Sequence, residues 1–283
     1  MSASPYHRMP LGFGPFPGPR QTAQGHPLDG WDQAQSTTYS IVFRAPKEQL
    51  DALLPAECFR IESDETSKGS AFASVSFTRL ENLPWLGGRG YNLCGLYIHN
   101  VICQGRDETV RGKYLSVLFE DRADPIISGR EELGYAKLFA SLDEQTGPQS
   151  WELDMGWEGT VFGRMHMDNL SPDDPVDASL RAHLQPENIL HYKYIPRTGS
   201  PGLADVEYPT MSPIPAPGAS QAVDTLYTST ATLAFTSHGF QALPTLHHIA
   251  EKLAGLHIEQ IVGAAKLASV GASDFRDQRP ILV

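Results

Sequence analysis

The 283-residue sequence predicts an α+β domain built mainly from antiparallel strands with a few short helices. Three observations carry that expectation. Apolar and polar residues alternate in many short stretches, the period of half-buried strands. Helical patterning is confined to short pieces. No joint is long or polar enough to serve as an interdomain linker, and many strands with few helices pack as one antiparallel unit.

Residues 1–35 are rich in Pro, Gly and Gln, and are expected to form an extended arm against a single domain at 36–283. TYSIVFRA (38–45) alternates as a first strand, and PKEQLDALLP (46–55) reads as a short helix ended by Pro55. Strands are expected at 70–80, 91–103 and 113–120. SGREELGYAKLFA (128–140) begins in helix formers, Glu131, Glu132 and Leu133 among them. Further strands are expected at 150–167, 189–196, 205–211, 226–237 and 258–270. PTLHHIAEKLAG (244–255) opens with Pro and closes with Gly, as helices do. Gly- and Pro-rich joints at 199–202 and 212–219 read as loops.

Composition narrows the function classes. Hydrophobic residues make up 41% and charged ones 19%, as in globular proteins, and the net charge of −11 argues against nucleic acid or an anionic membrane as partner. No run approaches the ~18 apolar residues of a membrane span. The opening MSASPYHRMPLGFGPFPGPR breaks the apolar core that a signal peptide needs, so a cytoplasmic location is expected. Cys58, Cys94 and Cys103 cannot all pair and lack C-x-x-C spacing, which points to reduced thiols.

Most motifs have plain readings. LGGRGYNLCG (86–95) matches no phosphate-loop spacing and reads as a turn. The histidines show no zinc pattern, so no metal is expected. A metal-dependent hydrolase using His166, Asp168 and His191 is the weakest rival. No G-x-S-x-G elbow is present. Lys137 lies between Tyr135-Ala136 and Leu138-Phe139-Ala140, either snorkelling over apolar surface or serving as a desolvated nucleophile.

DPIISGREELGYAKLFA resembles the signature of the acetoacetate decarboxylase family, in which Gly-Arg-Glu precedes a Tyr-Pro-Lys triplet whose lysine forms a Schiff base with the substrate ketone. Here Gly129-Arg130-Glu131 precedes Tyr135-Ala136-Lys137. TYSIVFRAPKEQLDALLP, HYKYIPRTGSPGLADVE, STATLAFTSHGFQALP and EQIVGAAKLASV resemble further family segments in the same order, so the likeness spans residues 38–270.

The resemblance implies a strongly curved antiparallel sheet, a cone or partly open β-barrel, with the lysine inside. It implies Lys137 as catalytic residue with no cofactor beyond its own imine, a small-molecule keto substrate and a homo-oligomer. Tyr135, Leu93, Tyr97, Leu138, Arg130 and Glu131 become candidates for substrate contact, with a structural ion pair as the alternative for Arg130 and Glu131. Desolvation by Tyr135, Leu138 and Phe139 would activate the amine; acetoacetate decarboxylase is itself a standing example of a lysine activated by its surroundings.

Several positions depart from the pattern. Leu138 stands where a second lysine follows, Leu93 where a Tyr-x-Glu segment supplies a glutamate, and Thr78 where another glutamate follows a phenylalanine. The arginine ahead of the first strand falls near Ser36, with Arg20 able to approach from the arm. The expected activity is a Schiff-base lyase on a β-keto acid or a larger, less polar, polyketide-like ketone, decarboxylation first. Aldol or dehydration chemistry through the same iminium is one alternative, and a non-catalytic β container for small molecules is another.

Overall fold

A computed structural model of the chain describes residues 4–62, 69–173, 176 and 178–283. The elements in chain order are β1 (Gln35–Pro46), α1 (Lys47–Asp51), β2 (Phe59–Ile61), β3 (Ser70–Leu83), β4 (Arg89–Gln104), β5 (Thr109–Glu120), α2 (Ala123–Ser128), β6 (Lys137–Phe139) and β7 (Ser141–Thr146). They continue with β8 (Trp151–Trp157), β9 (Thr160–Asp168), α3 (Ala178–His183), β10 (Ile189–Pro196), β11 (Ala204–Ser212), β12 (Gln221–Thr228), β13 (Thr230–Phe235), α4 (His247–Ala254), β14 (Gln260–Val270) and β15 (Arg279–Pro280).

A large sheet runs in the order β12-β14-β1-β3-β4-β5-β10-β11-β15, with β2 added on β4 and β6 on β5. A smaller sheet runs β13-β9-β8-β7. Pairing is antiparallel except at β5, whose Lys113 and Tyr114 pair parallel with β10 and whose last three residues pair parallel with β6. The sheet is mixed and remains open, because β12 and β15 lie at opposite ends of the path. The mainly antiparallel α+β domain expected from the sequence is therefore present, and its sheet does not close into a barrel.

Alternation assigns the two faces of the large sheet. Tyr39, Phe77, Cys94 and Phe119 meet Trp151, Leu153, Phe162 and Met165 of the small sheet in the main core. Trp151 stacks on Tyr39 with centroids 4.1 Å apart, and each such aromatic contributes about 2–3 kcal/mol by leaving water. On the other face, cross-strand pairs place Thr38, Thr78, Leu93 and Glu120 in one row, and Ser40, Ser76, Gly95, Leu118 and Lys137 in the next.

The departures from the sequence reading are local. Residues 150–167 form a hairpin rather than one strand, because Glu158 and Gly159 take positive φ of 47° and 82°. Residues 226–237 divide between β12 and β13, which serve different sheets. Helical character near Lys137 ends in a π turn at Gly129–Leu133, and the chain then extends into β6.

Candidate active site

The turn before Lys137 dictates where its amine goes. Gly134, at φ 84°, ends the π turn, and the Gly129 carbonyl accepts from the amides of both Gly134 and Tyr135. A β-carbon at Gly134 would lie 2.8 Å from Lys193 Cβ, so β10 packs directly on the turn. Thr210 Oγ1 and Gln278 Nε2 both donate to the Leu133 carbonyl, satisfying the end of the turn. The Leu118 amide donates to the Ala136 carbonyl, and Arg130 Nη1 donates to the Lys137 carbonyl at 2.9 Å.

The side chain of Lys137 lies back across Gly129 and is only 6% exposed. Its Nζ donates to the Pro125 carbonyl at 3.0 Å and lies 2.8 Å from Glu120 Oε1. Glu120 is wholly buried, and its Oε2 has no hydrogen-bond partner among the described residues. Tyr135 and Tyr91 present rings 5.0 and 6.0 Å from Nζ. Desolvation pushes the lysine pKa down against the pull of Glu120, and pushes the glutamate up against the pull of Lys137. Burial prevails on both partners, so the pair is poised to share one proton rather than hold two charges.

Beside the amine runs a neutral chain of donors and acceptors. The Tyr135 hydroxyl lies 2.8 Å from Ser212 Oγ, and His191 Nε2 lies 3.1 Å from the same oxygen. The imidazole also packs on the Tyr135 ring, centroids 3.9 Å apart. Desolvation, with Lys137 nearby, lowers the His191 pKa to about 3, while desolvation raises Tyr135 to about 12. Both are therefore uncharged at neutral pH.

The candidates named from sequence fall into two groups. Lys137, Tyr135, Leu93 and Tyr97 share one face, the last three packing with Leu115, Leu118 and Ile189. Leu138 faces the other way, into the main core, because it pairs beside Phe119. Phe139 is 49% exposed and takes no part in drying the amine. Arg130 is an exposed clamp on the backbone of β6, and Glu131 forms no ion pair among the described residues. Glu120, Gly129 and Ser212 are additions, and His191 joins the site as a hydrogen-bonding group beside the amine. An acid two residues past Leu118, in phase with its face, was the available signal for Glu120.

Among the described residues, no group of three or more His, Cys, Asp or Glu is placed to hold a metal ion. His166 lies on β9 in the small sheet and pairs with Asp168 at 2.6 Å, while His191 lies on β10 in the large one.

The arm reaches this site. Arg20 Nε lies 2.6 Å from Glu132 Oε1, with Arg8 Nε 3.9 Å from Oε2, all nearly buried. Gln21 fastens the arm to itself, bonding Tyr6 and Phe16. Since Glu132 sits in the π turn, Glu132→Ala is expected to leave two guanidinium groups without their carboxylate. The cost should be about 3 kcal/mol in urea unfolding, together with slower covalent modification of Lys137.

An open β sheet carrying a sunken lysine–carboxylate pair defines a domain suited to carbonyl chemistry. The acetoacetate decarboxylase (ADC) family profile matches residues 8–269, and the chain belongs to that family. No match was found among curated proteins. An acetoacetate decarboxylase structure superposes with a TM-score of 0.63 at 16% identity, covering 88% of this chain and 89% of that one. The acetoacetate decarboxylase from Legionella pneumophila subsp. pneumophila str. Philadelphia 1 gives 0.60 at 16% identity, covering 84% and 83%. The enduracididine biosynthesis enzyme MppR, complexed with the condensation product of pyruvate and imidazole 4-carboxaldehyde, gives 0.54 at 12% identity, covering 88% of each chain. These likenesses show a shared fold. No helix among the described residues is long and apolar enough to cross a membrane.

Proposed function

We propose that this chain is a lyase that condenses Lys137 with the ketone of a β-keto acid and releases carbon dioxide. The observation that carries the reading is the sunken amine held 2.8 Å from a wholly buried carboxyl group. Glu120 takes the proton that keeps Lys137 from attacking. The freed amine adds to the carbonyl carbon, and Glu120 returns a proton to the departing hydroxyl, which leaves as water. The resulting iminium accepts the electron pair of the breaking C–CO2 bond and becomes an enamine. A proton then reaches the α-carbon, with the Tyr135–Ser212–His191 chain as its source, and water releases the ketone and restores the amine.

A second reading keeps the iminium and changes the bond. Aldol cleavage or dehydration is favoured by the neighbour MppR, whose structure holds a condensation product of a keto acid and an aldehyde. Borohydride reduction in the presence of acetoacetate and longer 3-oxo acids tests both readings. The expected result is one substrate-derived mass on Lys137, with carbon dioxide release separating decarboxylation from the aldol route. Binding without an adduct would instead identify a container.

The pH dependence has a definite sign. Only the neutral amine attacks, so the trapping rate rises with pH, and the lowered lysine pKa places its midpoint below the ordinary ~10.4. Glu120 favours the ammonium, so Glu120→Gln should move that midpoint lower still. The same change removes the proton carrier and should reduce the plateau rate by about 100-fold. An unchanged midpoint and plateau would remove Glu120 from the chemistry.

A further inference from the structure

A hollow of about 480 Å³ opens on the amine's face of the large sheet, within the range of small-molecule sites. Its floor is hydroxylated. Thr38 and Thr78 oxygens lie 2.9 Å apart, and Ser40 and Ser76 oxygens 2.8 Å apart. Each pair uses one hydrogen between two oxygens, leaving a second hydrogen and lone pairs for a guest. Leu184, Pro186, Ala265 and Leu267 complete the lining, so the hollow suits a guest that has polar groups to meet the hydroxyls and a short apolar stem between them.

Lys113 lines the same hollow. Its ammonium lies over the Tyr97 ring, 5.0 Å from the centroid, and has no carboxylate within ion-pair distance and no hydrogen-bond acceptor among the described residues. Glu187 exerts a longer-range pull that does not offset desolvation, which lowers the lysine pKa. Arg181 also lines the hollow, its guanidinium stacked 4.2 Å from the Tyr227 ring centroid. His99 bonds Ser74 at 2.9 Å but adds no charge, because desolvation brings its pKa to about 4.

Tyr97 joins the two regions. It lines the hollow and also packs in the cluster that contains Tyr135 and Leu118 beside the reactive amine.

We propose that this hollow binds an anionic, oxygen-rich far end of the substrate through Lys113 and the paired hydroxyls, so that the chain selects keto acids bearing a second carboxylate. The inference rests on the Schiff-base reading for the reacting end and replaces the less polar substrate expected from sequence. Its cationic recognition is independent of Lys137, which allows the two to be tested apart.

The first measurement is calorimetric titration of the wild-type protein with keto-free adipate and, at matched concentration, its uncharged isostere adipamide. Adipate should bind and adipamide should bind at least about tenfold more weakly, the scale of one charge-assisted contact. The second is borohydride trapping with 3-oxoadipate and acetoacetate. The diacid should half-saturate trapping at about tenfold lower concentration, and Lys113→Met should erase that advantage. Equal binding of adipate and adipamide, or a diacid preference that survives Lys113→Met, overturns the proposal. Adipate binding without any ketone adduct supports the hollow while sinking the lysine chemistry, so the two failures are distinct. If Lys113→Met does not fold, the wild-type comparisons still decide.

Discussion

Lys137→Met is expected to abolish covalent trapping and to lower turnover by at least roughly 10⁴-fold, as removal of a covalent nucleophile does. Methionine retains much of the length and apolar surface of the lysine stem, so the loss should report on the amine. Stability supplies a second readout. Glu120 would be left wholly buried beside an uncharged side chain, and breaking a buried pair costs about 3–5 kcal/mol. The sign with pH follows from the raised carboxyl pKa. The folded state of the variant holds that proton more tightly than the unfolded chain does. Stability should therefore be greatest at and below the ordinary carboxylate range and fall as pH rises above it. Adding Glu120→Gln should remove that slope without restoring activity. Urea unfolding at pH 5 and pH 8 checks both; a flat profile in the single variant would mean that the carboxyl is solvated.

Gly129→Ala should be nearly as damaging for a different reason. Its backbone is ordinary helix, φ −65° and ψ −43°, so alanine meets no conformational objection there. The conflict is with the Lys137 side chain: a β-carbon at residue 129 falls 2.7 Å from Nζ and closer still to Cδ and Cε. Lys137 must move, and with it the contacts to Pro125 and Glu120. Trapping should fall about 100-fold, since an ångström of misplacement is worth that much in attack geometry, while unfolding changes by only about 1–3 kcal/mol, the scale of overpacking. Wild-type trapping in this variant would show that the lysine has another productive rotamer.

Strands with regular alternation were legible in the sequence because each presents one face to a core: β1, β3, β4, β5 and β10 lie within a few residues of their expected positions. The π turn and short β6 were not, since local propensity favours helix through Leu133 and the change of course depends on Gly134, β10 and the Leu133 carbonyl contacts. Leu138 was misplaced because adjacency in sequence was taken for adjacency in space, whereas successive strand residues point to opposite faces. The resemblance led to Lys137 through local spelling. Glu120 lies seventeen residues away and joins the amine only through the parallel pairing of β5 with β6, a contact that no short motif records.

The rung formed by Leu93 and Glu120 bears on how relatives are recognised. The two residues sit directly opposite one another on β4 and β5, their β-carbons about 5 Å apart in such a pair. A side chain at residue 120 can thus reach much of the space that one at residue 93 would reach. Read along the chain, Leu93 departs from a Tyr-x-Glu segment; read across the sheet, a carboxyl group stands one strand away and 2.8 Å from the Lys137 amine. Pairing across strands can therefore keep a carboxylate near a lysine even where the residue in line has changed.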